Sequence, residues 1–276
     1  MRRPALPAAL LFLAAPAAAA AAPAARDAWL VPARATLPPG VDAAFDLTTG
    51  PAFPTPASAV AAGRVTTARV RLGGHASALP APRGGPHALH FRAPLREPGV
   101  ATVWVSLAPR ARTLDSADVV RLLDAVGAPD SVRLAYLRQL PVDGVRRWEE
   151  RYAEHAVAHV LVSSPLRPRP RGDATWARPA GLPLELVPLA DPTALRAGDS
   201  LDVRLLRRGR PLADAQVRAV GPDGRPRPAR RTDADGVVTL PLAADGRWLV
   251  RATEIRRAGR DGGWTSDFAT LTVVVR

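Results

Sequence analysis

Val65-Thr66-Thr67-Ala68-Arg69-Val70-Arg71-Leu72 and, further along, Thr102-Val103-Trp104-Val105-Ser106-Leu107 decide how this chain folds. In the first stretch Val65, Thr67, Arg69 and Arg71 alternate with Thr66, Ala68, Val70 and Leu72. In the second, Val103, Val105 and Leu107 alternate with Thr102, Trp104 and Ser106. Successive side chains of an extended strand fall on opposite faces, so a period of two reads as strand. Outward from these, shorter strands are expected at 28–31, 43–47 and 88–91, separated by turns rich in proline and glycine. The 276 residues contain 30 Pro and 21 Gly, a punctuation incompatible with a helical bundle.

Between about 115 and 158 the pattern changes to helical. Asp115-Ser116 caps a helix carrying Val119, Val120, Leu122, Leu123 and Val126 that stops at Gly127, and Asp130-Ser131 caps a second, short helix through Leu134 and Leu137 that ends before Pro141. A third helix is expected from about Asp143, with Val145, Trp148, Tyr152, His155 and His159 on one face, passing into a strand at Val160-Leu161-Val162. Residues 164–181 read as a proline-stiffened linker. After it, strands at 184–189, 200–206, 214–220, 236–242, 246–253 and 267–275 have the spacing of a sandwich, with turn residues at Pro222-Asp223-Gly224 and Asp245-Gly246. Asp233-Ala234-Asp235-Gly236 reads as a plain turn, since a calcium loop needs a terminal bidentate Glu and further ligands. The fold class expected is mainly β: two β-sandwich-like domains, 25–163 and 182–276, with a short helical insertion (about 115–158) between them.

Residues 1–24 read as an export signal. Arg2 and Arg3 precede an apolar run from Ala8 to Ala22, and Ala22-Pro23-Ala24 fits a small-residue cleavage site that leaves a chain starting near Ala25 or Arg26. The expected location is periplasmic or secreted, with no transmembrane segment in the mature chain. There is no cysteine, which excludes disulfides, thiol nucleophiles and thiolate metal sites.

The net charge of +13 points less to a partner than to composition. All 38 basic residues are arginine; lysine and asparagine are absent, and Ile255 is the single isoleucine. Residues 1–160 carry 18 Arg and 12 acids, residues 161–276 carry 20 and 13, so the charge has no pole. Clusters such as Arg207, Arg208 and Arg210 are mixed with Pro or Gly and read as solvated hairpin tips, so no nucleic-acid partner is expected.

Three stretches together resemble a family of exported proteins of unknown function linked to the periplasmic components of nickel/cobalt uptake systems (NikM-like). They are Asp27-Ala28-Trp29-Leu30-Val31-Pro32, then Glu150-Arg151-Tyr152-Ala153 leading into Ala158-His159-Val160-Leu161-Val162. The most specific is Gly181-Leu182-Pro183-Leu184-Glu185-Leu186-Val187-Pro188-Leu189-Ala190-Asp191-Pro192. The resemblance implies two β-rich domains, the second immunoglobulin-like and similar to carboxypeptidase-regulatory modules. It also implies handling of Ni(II) or Co(II) outside the cytoplasm, with a membrane transporter or an outer-membrane receptor subunit as partner. One departure bears on the metal: where the family pattern places a histidine at the mature N-terminus, this chain has Arg26, whose guanidinium is a permanent cation and binds no metal.

The remaining metal candidates are His155 with His159, and His87 with His90, with His75 upstream. On a helix His155 and His159 would face one ion together; in a strand they would share a face about 13 Å apart, too far for one ion. Packing in the Trp148–Tyr152 stripe is the other reading of that pair, and solvated loop positions that of His87 and His90. No nucleophile elbow, phosphate loop or dinucleotide fingerprint is present, so the chain is not expected to be an enzyme. Two functions stay open. One is a soluble exported binding or accessory protein holding a divalent transition metal; the other is a metal-free envelope interaction module working through its immunoglobulin-like domain.

Overall fold

The computed structural model describes residues 27–50, 52–139, 146–259 and 263–276. The segment read as an export signal, and Arg26, lie outside them. In chain order the main strands are β1 (Ala28–Pro32), β2 (Asp42–Thr49), β3 (Val65–Leu72), β4 (His75–Ala78), β5 (Leu89–Pro94) and β6 (Gly99–Leu114). After helices α1 (Ser116–Val126) and α2 (Asp130–Leu137) come β7 (Trp148–Val162), β8 (Leu184–Pro188), β9 (Ser200–Arg207), β10 (Gln216–Val220), β11 (Val237–Pro241), β12 (Gly246–Ala258) and β13 (Gly263–Val275). The chain is mainly β, as its alternation implies.

One large sheet organises the molecule, in the order β10-β12-β13-β7-β6-β3-β4. Its centre joins strands from far apart in sequence: β7 pairs antiparallel with β6 and parallel with β13. A second sheet, β1-β2-β5, covers one face, and its core includes Phe45, Leu47, Phe91, Val103, Val105, Ala156, Ala158 and Val160. A third, β8-β9 with β11, covers the opposite face over Trp104, Val157, Val203, Leu205, Trp248, Val250 and Leu271. Two sandwich-like layers therefore share the central sheet. β6 and β7 are buried on both faces along most of their length, which is why their apolar residues run together instead of alternating cleanly with polar ones.

This burial corrects the third expected helix. Residues 140–145 lie outside the described ones, but from Trp148 to Val162 the chain is strand, not helix. Trp148 and Tyr152 share a face because both are even-numbered, not because they are a helical turn apart. The even residues of β7 face the first sandwich and the helices; the odd ones face the second. The helical insertion is thus α1 and α2 alone. Asp115 caps α1 by accepting from the Asp118 N–H at 2.7 Å, and Gly127 closes it at φ 60°. A Cβ at Gly127 would meet the Gln216 amide at 1.9 Å. The helices pack Val119, Leu123 and Tyr136 over Trp148, Trp264 and Phe268, with Trp148 and Trp264 stacked at 4.0 Å. No described helix is long and apolar enough to cross a membrane.

Residues 173–181 lie against the large sheet at β3 and β6. Asp173 accepts the Val100 N–H at 2.9 Å, and the buried Arg71 guanidinium donates to the carbonyls of Arg178 and, at 3.1 Å, Pro179.

Candidate functional site

The three stretches of family resemblance have structural work to do. Asp27 is buried against Arg251 at 2.9 Å, and the Ala28 carbonyl accepts from the Thr270 hydroxyl at 2.8 Å, so the first stretch ties β1 to the central sheet. Burial pushes the Asp27 carboxyl up despite Arg251. In the third stretch Glu185 accepts the N–H groups of Ala180, Gly181 (3.0 Å) and Leu182 (3.2 Å), organising the turn into β8. In the second, Glu150 is wholly buried, accepting from Trp148 Nε1 at 3.0 Å and Arg112 Nε at 2.7 Å.

Next to that second stretch the sheet opens. β6 carries one extra residue between its pairings Arg110↔Tyr152 and Leu107↔Glu154, and β3 carries one between Val65↔Leu107 and Thr67↔Ser106. The freed carbonyls are taken by side chains: Ala108 by Arg64 at 3.1 Å, Ser106 by the Thr66 hydroxyl at 3.1 Å. Pro109, which has no N–H to donate, sits in the bulge. One extra residue also inverts which side chains of β6 face which layer. Before it, Val103, Val105 and Leu107 face the first sandwich; after it, Arg112 and Leu114 share that side with Glu150 and the helices.

The result is a crevice of about 450 Å³. Its floor is a row across three neighbouring strands: Ser106 on β6, His155 on β7 and Asp267 on β13, all buried. Ser106 Oγ is 3.0 Å from His155 Nδ1, and His155 Nε2 is 3.5 Å from Asp267 Oδ1. Arg256 holds the other Asp267 oxygen and also contacts Glu254, which Arg207 reaches at 3.1 Å. Burial pushes the Asp267 carboxyl up, but the His155 ring and Arg256 outweigh it and hold it below the usual carboxylate range. Glu254 goes the other way: burial raises it, with Arg256 and Arg207 opposing. An ionised Asp267 only accepts, so Nε2 donates to it, and when the ring is neutral Nδ1 accepts from the Ser106 hydroxyl. Arg151, Arg208 and Pro183 line the mouth.

The serine, imidazole and carboxylate are linked in the order of a hydrolytic relay. Ser106 sits within a strand paired on both edges, beside the bulge. The arrangement is suited to holding a polar ligand.

The proposed metal pairs are not brought together. His155 and His159 share the odd face of β7 but lie four extended residues apart, roughly 13 Å. His155 is engaged on both nitrogens. His159 is sealed beneath Trp176 and beside Arg71; burial and then Arg71 lower its pKa to about 3, with Asp191 and the Trp176 backbone opposing. Neither nitrogen has a partner in full hydrogen-bond geometry, the Trp176 backbone contact falling short of it. His90 pairs with Asp46 at 2.7 Å on the surface, His87 lies 3.4 Å from the Ala57 carbonyl, and His75 is exposed on β4. Among the described residues no group of three or more His, Cys, Asp or Glu is disposed to hold an ion. Asp233 caps its own turn, accepting from the N–H groups of Asp235 at 2.9 Å and Val237 at 2.8 Å.

Ser106, Asp267 and Arg256 carry no motif and could not be found as a set in the sequence, because Ser106 lies 150 and 161 residues from Arg256 and Asp267. Arg207 and Arg208 form the exposed hairpin tip expected of them, and from it Arg208 also lines the crevice.

A model of the family described as "Domain of unknown function (DUF4198)" matches residues 24–255. No curated protein matches the chain. Among solved structures, it is similar to that of the Yersinia pseudotuberculosis adhesin InvE at 14% identity and a TM-score of 0.24. That match covers 88% of this chain and 58% of the adhesin chain, so this chain spans little more than half the adhesin's length.

Proposed function

We propose that this chain, which belongs to the DUF4198 family of unknown function, is an exported binding or accessory protein of the cell envelope. It holds a small polar solute in the crevice over Ser106, His155 and Asp267, for delivery to a membrane transporter or outer-membrane receptor subunit. The observation that carries this reading is the crevice itself. At about 450 Å³ it has the size of a ligand site, and it gathers a hydroxyl, an imidazole, a carboxylate and several guanidiniums at a break in the sheet. The family resemblance implies nickel or cobalt as cargo, but the histidines do not supply a donor set: one is engaged, one sealed and the others separately placed. An organic solute suits the site better than a bare ion, and binding suits it better than catalysis.

The test is a thermal-shift screen of polar metabolites against wild type and Ser106→Leu, whose larger side chain fills the floor. Ligands that raise the melting temperature of wild type and not of the variant are expected. A screen with no such ligand, or turnover of an activated ester that Ser106→Ala abolishes, overturns the reading.

A further inference from the structure

Three guanidiniums line the crevice, from Arg151, Arg208 and Arg256, with the Asp267 carboxylate, and Arg256 is tied onward to Glu254 and through it to Arg207. The carboxylates are spent. Asp267 is held by His155 and Arg256, and Glu254 by Arg207 and Arg256. Among the described residues these are the ion pairs of the crevice, so Arg151 and Arg208 face it without a carboxylate of their own. Arg208 is placed there at a cost. It occupies the first position of a two-residue turn closed by the pairing Arg207↔Arg210, at φ 47°, with Gly209 at φ 77°. Such turns favour Asn, Asp or Gly at that position, and a residue with a Cβ is strained in the left-handed region. The Arg208 N–H, bonded to the Pro183 carbonyl at 2.9 Å, fixes the turn over the rim.

The floor presents a different chemistry. When the His155 ring is neutral the Ser106 proton is directed to Nδ1, and the hydroxyl oxygen offers lone pairs to whatever lies above it. Guanidinium donors at the rim and a hydroxyl acceptor on the floor match a molecule with a carboxylate at one end and a hydroxyl donor at the other. We propose that the crevice binds a small hydroxycarboxylate, its carboxylate on Arg208 and Arg151 and its hydroxyl donating to Ser106. This rests on the crevice being a solute site.

The experiment is calorimetric titration of the purified protein with malate and with succinate, which differ by that hydroxyl, and with glucose as a neutral comparator. Malate is expected to bind one-to-one, at least tenfold more weakly to Arg208→Gln, and more tightly than succinate. Ser106→Ala should bring malate down to the succinate level. All variants are checked by thermal melting, and Arg210→Gln, at the last position of the same turn, serves as the control that should bind normally. Equal binding of malate and succinate, binding indifferent to Arg208→Gln, or no binding of malate overturns the proposal. If glucose binds and Ser106→Leu abolishes it, the anion is wrong and the crevice remains a solute site. If none of the three binds and the wider screen is also empty, both readings fall.

Discussion

The odd face of β7 carries two histidines four residues apart, in opposite situations. His155 lies in a row with Ser106 and Asp267 that ends in an open crevice, and both its nitrogens have partners. His159 lies in a row with Thr102 and Arg71 sealed by residues 173–181, and neither nitrogen has one. Strand, face and residue type are the same; the cover differs. A bulge opens the sheet at the first row, while Arg71 and Asp173 fasten the chain over the second. A polar side chain in a sheet is thus made available or locked away by what lies above it.

The largest test of the contrast removes the fastening. Arg71→Ala takes two hydrogen bonds from the 178–179 carbonyls and a cation from the Trp104 ring and from Glu185. It is expected to cost about 4 kcal/mol in urea unfolding, as for loss of one partner from a buried charged network. Residues 173–181 should also gain amide exchange while the crevice row does not. Exchange rising equally at both ends would erase the distinction.

Acid should act next most strongly, through His159. Its folded pKa near 3 lies below the ordinary value of 6.5, so between these limits the unfolded chain binds a proton that the folded chain does not. Stability is full above about pH 6.5 and falls by about 1.4 kcal/mol for each unit below it, or about 3 kcal/mol by pH 4. His159→Leu should flatten this slope while leaving stability at pH 7 equal or higher, because it removes two unpartnered buried nitrogens. A slope unchanged in the variant would show that the sealed row is open to water.

Asp267→Asn probes the open row. The held-down carboxylate contributes stability that is present above its ordinary pKa near 4 and lost as pH falls through its lower folded value. The variant should be less stable by about 2 kcal/mol at pH 7, and the gap should close below pH 4. A gap that persists there would assign the loss to packing. The smallest effect is a gain: Arg208→Gly relieves the left-handed position and should stabilise the fold by about 1 kcal/mol or less in thermal melts, with malate binding lost. A loss of stability would mean that the arginine's contacts outweigh its backbone cost.

Much of the fold was legible because much of it is local. Alternation at 65–72 and 102–107, the Asp115 and Gly127 ends of α1 and the turn residues of the second sandwich each depend on near neighbours in the chain. The strands they imply are there, with β12 and β13 extended into a longer pair. Trp148 to Val162 misled because a strand buried on both faces loses its alternation, and bulky residues at 148, 152, 155 and 159 then mimic a helical stripe. Of the candidate site only single residues were legible. His155 was visible as a residue worth weighing, but its partners were not.

The amino-acid sequence by itself determined that the chain is mainly β, where most strands and both helices begin and end, and that cysteine chemistry is absent. These follow from backbone preferences and side-chain periodicity acting over a few residues. Only the tertiary structure decided that β7 lies between β6 and β13, that one extra residue in β6 opens the sheet beside Ser106, and that His155 is engaged while His159 is sealed. Strand partners, register and cover come from long-range packing of whole layers, and no short window of sequence contains the residues that set them.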